Sequence, residues 1–149
     1  MSRASTSHFQ DMQSHPRGVV LHVEDDVDAR ESMAAVLGLS GFEVHTADSA
    51  GAALSRAREL GVSLDVLVVD YHLGQGTTGT EVAESIGRQV GYGIPTLLVT
   101  GDLANAEIPL LPNAPVWLLR KPAPLDMLVA TLPALVEFRR AVRHFVNKG

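Results

Sequence analysis

The 149-residue chain contains no cysteine, which excludes disulfides, thiolate zinc centres and cysteine nucleophiles at once. It has no apolar run near the roughly 20 residues needed to cross a bilayer. Its first residues are rich in Ser, His and Gln and lack the apolar core of a signal peptide, so a cytoplasmic location is expected. It has no basic excess: the net charge is −5, which argues against nucleic acid as the main partner, and no membrane partner is expected either. The 46% hydrophobic and 19% charged residues are ordinary for a globular protein, and the length suits one domain with a real core.

What the chain does have is an alternation of short apolar runs with helical patterns from Arg17 onward. Such alternation predicts βαβ units and a parallel sheet covered on both faces. Residues 1–16 show neither period and read as a flexible leader. The five strand-like runs are Gly18–Val23, Phe42–Thr46, Leu64–Val69, Ile94–Val99 and Pro115–Arg120. The first helix is expected after Asp26, whose carboxylate can cap it, and runs to the Gly38–Gly41 region. Asp48 or Ser49 caps the next, which ends at Gly61. Thr78-Gly79-Thr80-Glu81 has the spacing of a capping box. After the fourth strand, Pro109 and Pro112 leave room for only a turn or two around Ala104–Glu107. The last helix begins at Pro124 or Leu125, and Pro133 should kink it or divide it in two. About five helices are expected in all.

Polar residues close four of the runs: Glu24 and Asp25 after the first, Asp70 after the third, Thr100 after the fourth and Lys121 after the fifth. In a parallel α/β sheet the carboxyl ends of the strands share one edge, where open sheets bind ligands. A carboxylate such as Asp70 is a competent nucleophile toward phosphorus. A Mg²⁺ ion takes oxygen ligands and neutralises phosphoryl charge; Glu24 and Asp25 offer carboxylates, and the His72 backbone another oxygen. Lys121 supplies an ammonium and Thr100 a hydroxyl for phosphoryl oxygens. Gly101 leaves room for the group. His22 and His45 lie in apolar strand runs and read as satisfied core or sheet residues rather than ligands.

The segments VLHVEDD (20–26), VLVVDYHLG (66–74), LLVTGD (97–102) and LLRKP (118–122) together resemble the receiver domain of bacterial response regulators. The resemblance spans about 17–135. It implies a flavodoxin-like (βα)5 doubly wound sheet of strand order 2-1-3-4-5, followed by a C-terminal helical extension at 136–149. It further implies that Asp70 accepts phosphate from a sensor histidine kinase or phosphotransfer protein. Asp25 would bind Mg²⁺ (or Mn²⁺) directly, and Glu24 through water. Thr100 and Lys121 fall at the switch hydroxyl and the phosphate-pairing lysine, and His72 and Asp102 where side chains tune phosphoryl lifetime. Such a domain is not an enzyme beyond catalysing its own phosphorylation and dephosphorylation.

Two departures stand out. Leu118, beside Trp117, occupies the position of an aromatic that swings inward in many relatives, and the fourth helix is shortened. Both lie on the face that many relatives use for dimerisation and output, so an unusual output surface is expected around Trp117 and Leu118, with a protein effector or a second copy of the chain as partner. Residues 136–149 carry Arg139, Arg140, Arg143 and Lys148 beside an apolar stripe. They are too few for a helix-turn-helix, and packing on the domain or self-association is expected instead.

Three rival readings fit less well. A cobalamin module needs Asp-x-His-x-x-Gly, but Gln75 stands at the glycine position. A flavodoxin needs a phosphate loop after the first strand, where this chain has three acids. An Asp-nucleophile, metal-dependent phosphatase usually has a second acid two residues on, where this chain has His72.

Overall fold

The computed structural model describes residues 16–90 and 93–148; the leader expected at 1–16 lies, but for its last residue, outside them. The elements run β1 (Val19–Val23), α1 (Val27–Leu39), β2 (Glu43–Ala47), α2 (Ala50–Leu60), β3 (Val66–Asp70), α3 (Gly79–Val90), β4 (Thr96–Thr100), β5 (Val116–Arg120) and α4 (Leu125–Lys148). Short 3-10 turns occupy Gly61–Ser63 and Leu103–Asn105. All strand pairs are parallel, in the order β2-β1-β3-β4-β5. The fold is flavodoxin-like.

Alternation within the strands builds two cores. Leu21, Val23, Leu67, Val69 and Leu98 face α2 and α3, meeting Ala53, Ala57, Val82, Ala83 and Ile86. Val20, Val66, Val68, Leu97 and Val99 face the other way, toward Leu37 of α1 and Leu128, Leu132, Leu135 and Val136 of α4. The three central strands are buried on both faces, which is why they read as unbroken apolar runs. The caps are local chemistry: the Asp26 carboxylate accepts from Ala29 N at 2.8 Å, and Ser49 Oγ from Ala52 N at 3.2 Å. Thr78 and Glu81 cap each other reciprocally, at 3.2 and 3.4 Å.

The structure differs from expectation in three places. The described residues form four α-helices rather than about five, because Pro133 does not divide the last one; the segment before Pro109 closes one turn, Leu103–Asn105, as the two prolines predict. Asp70 and Thr100 are the last residues of their strands rather than the residues that follow them. At the other end of β4, Pro95 has no N–H for the ladder, so the strand begins at Thr96.

Pro133 thus sits inside one continuous helix. A proline inside a helix costs about 3 kcal/mol. Complete burial of Leu128 and Leu132, and near-complete burial of Leu135, offset it at about 2 kcal/mol each.

The C-terminal basic residues pack on the domain. Arg139 is 1% exposed, and its Nε donates to Leu64 O at 3.1 Å. Asp65, 2% exposed, accepts from Val19 N at 2.8 Å and pairs with Arg143 and, at 3.6 Å, with Arg140. This knot ties the far end of α4 to the amino ends of β1 and β3, opposite the polar strand ends.

Candidate functional site

The polar strand ends meet at the carboxyl edge of the sheet, where β1 and β3 lie side by side. This is the switch point at which such folds bind ligands. Glu24 is held there by a bond from its N–H to Ala47 O at 3.0 Å. Arg30 of α1 donates to the carbonyls of Glu24 (3.0 Å) and Asp25 (3.4 Å). One carboxylate oxygen from each of Glu24, Asp25 and Asp70 lies within 4.8 Å of the other two. Glu24 and Asp70 are buried, while Asp25 is exposed. Lys121 N donates to Thr100 O at 2.8 Å, and its Nζ reaches past β4 to Asp70 Oδ1 at 2.7 Å.

Burial and crowded charge shift three groups here. Burial, then a hydrogen bond with Asp70 and the charges of Asp70 and Asp25, push the Glu24 carboxyl up to about 8, with Lys121 opposing. Burial works against the charge on Lys121, but its bond to Asp70 and the charges of Asp70, Glu24 and Asp25 outweigh it and raise the ammonium above its ordinary value. His22, one pleat below Glu24, is held neutral by burial, with a pKa of about 4. Three carboxyls against one lysine leave a surplus of negative charge on hard oxygen donors. That donor set fits a hard divalent cation.

The β3–α3 connection is shaped by glycine. A Cβ on Gly79 would sit 2.4 Å from Asp70 O and 2.9 Å from both Leu98 and Val69 side chains. Only glycine lets the start of α3 approach Asp70 this closely. Gly74, at φ +77°, places its α-carbon against Asp25, where a Cβ would lie 3.3 Å from the carboxylate.

The other residues singled out in the sequence fall around this cluster. Thr100, 1% exposed, accepts from Asp102 N at 3.1 Å through its hydroxyl oxygen. A Cβ on Gly101 would meet nothing within 4 Å. His72 is exposed, with its ring edge-on to Tyr71 at 4.9 Å, and Asp102 accepts from Asn105 Nδ2 at 2.8 Å. Trp117 is exposed on edge strand β5, and Leu118 packs half-buried on the α2–α3 side. His45 bonds the Glu43 carboxylate at 2.8 Å.

His22 departs from the satisfied histidine expected: its Nδ1 is buried without a partner among the described residues. It lines a cavity of about 90 Å³ with Glu24, Ala29, Met33, Asp70, Val99 and Lys121. Two further residues belong to the site, Arg30 and Tyr71. Arg30 had a local signal, since a cation in the first turn of a helix opposes the macrodipole and needs a reason. Tyr71 had none beyond its place next to Asp70.

Fold and site together define a flavodoxin-like domain with an acidic pocket and a facing lysine at its switch point. The chain belongs to the response regulator receiver domain family, whose model matches residues 20–132. No curated protein matches the chain. Among solved structures, the chain is similar to the chemotaxis protein CheY4 of Vibrio cholerae (26% identity, 79% of this chain and 98% of that one, TM-score 0.64). A receiver domain protein from Clostridium thermocellum shares the fold (21%, 84% and 98%, TM-score 0.70), as does the receiver domain of the hybrid histidine kinase CckA (24%, 80% and 99%, TM-score 0.65). The cobalamin, flavin and phosphatase readings are not favoured. The family match ends inside α4, which runs on without a break to Lys148.

Proposed function

We propose that Asp70 receives a phosphoryl group from a phosphohistidine on a sensor histidine kinase or phosphotransfer protein. The observation that carries this reading is the buried Asp70 carboxylate held at 2.7 Å by Lys121 beside two further carboxylates. The Asp70 carboxylate attacks phosphorus; the O–P bond forms as the P–N bond breaks, and the imidazole nitrogen leaves with the electron pair. Glu24, Asp25, Asp70 and the His72 backbone carbonyl would hold Mg²⁺ or Mn²⁺, which when bound supplies positive charge against the phosphoryl oxygens. Lys121 turns from Asp70 to a phosphoryl oxygen and keeps the charge balanced. Thr100 accepts from Asp102 with a lone pair, so its O–H is free to donate to the phosphoryl group. Gly101 leaves that approach clear, and His72 and Asp102, at the rim, set how readily water reaches the acyl phosphate.

The domain acts on itself alone, catalysing its own phosphorylation and dephosphorylation. Its output is contact with a protein effector or a second copy through the surface around Trp117 and Leu118. We place it in the cytoplasm with its phosphodonor; no helix among the described residues is long and apolar enough to cross a membrane. With Mg²⁺ and acetyl phosphate, the purified protein is expected to gain one phosphoryl adduct by mass spectrometry, and Asp70→Asn none. An unlabelled wild type, or equal labelling of the variant, overturns the reading.

A further inference from the structure

Residue Glu107 lies in the irregular segment between the Leu103–Asn105 turn and Pro109, and hydroxyl groups take both of its backbone polar groups. Its N–H donates to Tyr71 Oη at 3.0 Å, and its carbonyl accepts from Thr80 Oγ1. Tyr71 follows Asp70 directly, is 8% exposed, and is fixed on both sides. Its N–H donates to Val99 O at 2.8 Å, and its carbonyl accepts from Gly79 N at 2.7 Å. At the start of the same segment, Asp102 N is held by the Thr100 hydroxyl at 3.1 Å, and Asp102 is tied to Asn105. The segment 102–107 is therefore gripped at one end by Thr100 and at the other by Tyr71, which holds the Glu107 N–H, and Thr80, which holds its carbonyl. Thr100 and Tyr71 sit at the ends of β4 and β3, beside the same carboxylate.

We infer that Tyr71 is a positioning residue that couples the state of Asp70 to residues 102–110, through the bond its hydroxyl accepts from Glu107. The inference rests on the phosphoacceptor reading above. Leu118, on the neighbouring edge strand, has no polar atom with which to answer a movement of Thr100. Thr100 does carry Asp102 with it: the hydroxyl that donates to a phosphoryl oxygen is the one that holds Asp102 N. A shift of Thr100 toward Asp70 pulls the Leu103–Asn105 turn along, while Tyr71, pinned to Val99 and Gly79, stays in place. The Glu107–Tyr71 bond then opens, and exposed Ile108 and Leu110 change position with the segment.

The test is residue-resolved amide hydrogen exchange with and without beryllofluoride and Mg²⁺, alongside mass spectrometry for occupancy of Asp70. In the wild type, the Glu107 amide is expected to be protected without the adduct and to exchange roughly two- to tenfold faster with it, as for loss of one hydrogen bond. Tyr71→Phe keeps the buried ring and removes only the acceptor. Its Glu107 amide is expected to exchange fast from the start and not to respond, while Asp70 still takes the adduct. A wild-type Glu107 amide that ignores an adduct seen on Asp70 overturns the inference and leaves the phosphoacceptor reading standing. So does a Tyr71→Phe protein that keeps both protection and response. Absence of any adduct on the wild type overturns the phosphoacceptor reading, and this inference with it.

Discussion

Lys121 Nζ stands 2.7 Å from Asp70 Oδ1, with the lysine half in solvent and the aspartate buried. The pair spans three adjacent strands and supplies the counter-charge nearest the proposed nucleophile. Lys121→Met keeps the length of the side chain and removes the charge. A charge-assisted hydrogen bond is worth about 1.5–3 kcal/mol, so adduct formation with acetyl phosphate is expected to slow roughly 10- to 100-fold. Lys121 is also the charge that restrains Glu24. Titration of the variant, followed by NMR of the Glu24 carboxyl, should therefore place that group higher than in the wild type.

Glu24 gives a pH dependence of definite sign. Its carboxyl moves from 4.5 to about 8, chiefly through burial and the neighbouring Asp70. A raised folded pKa means that the unfolded chain releases this proton first. The stabilising contribution is complete below pH 4.5 and is lost as the pH rises through about 8. Without divalent cations, Glu24→Gln should melt close to the wild type at pH 4.5 and increasingly above it toward pH 8. Added Mg²⁺ should raise the melting temperature of the wild type more at pH 8 than at pH 5, and that of the variant less. Thermal melts across the pH range with EDTA or Mg²⁺ check both statements.

His22 works in the opposite direction. Burial lowers its pKa from 6.5 to about 4, so the unfolded chain takes up a proton that the folded domain refuses. Stability is complete above pH 6.5 and falls as the pH drops toward 4. The loss comes to about 3 kcal/mol, because each pH step between the two values is worth about 1.4 kcal/mol. His22→Leu, of similar volume, removes both the titration and the unpartnered Nδ1. Urea denaturation between pH 7 and 4 should show a shallower loss of stability in the variant than in the wild type.

Much of this site could be read along the chain because each polar residue closes an apolar run, and parallel topology brings such positions to one edge. The strand order needed the family resemblance, since periodicity alone does not order strands. What stayed hidden acts across the fold. Arg30 grips backbone carbonyls that any sequence possesses. The Tyr71–Glu107 bond depends on where an irregular segment settles. Pro133 argues for a helix break if read locally, and only the burial of Leu128, Leu132 and Leu135 against the sheet overrides it. His22 looked like an ordinary strand residue because the absence of a partner is a property of its surroundings.

The clearest such case is Asp65, whose partners lie far away in the chain. Val19 N binds its carboxylate, Arg143 pairs with it, and Arg139 binds the carbonyl just before it. Asp65→Ala leaves a buried N–H without its acceptor and the Arg143 guanidinium without its partner. A buried N–H left without its acceptor costs about 1–3 kcal/mol, and the loss of the partly exposed Arg143's partner adds to it. Arg140, half exposed and 3.6 Å away, belongs to the class of surface pairs worth about 0–1 kcal/mol. Urea denaturation is therefore expected to show a large loss for Asp65→Ala and a small one for Arg140→Ala. Adduct formation on Asp70 should persist in Asp65→Ala wherever the domain remains folded, because the knot lies at the opposite end of β3. Equally small costs for the two variants would show that the Arg143–Asp65 pair is worth no more than a surface pair.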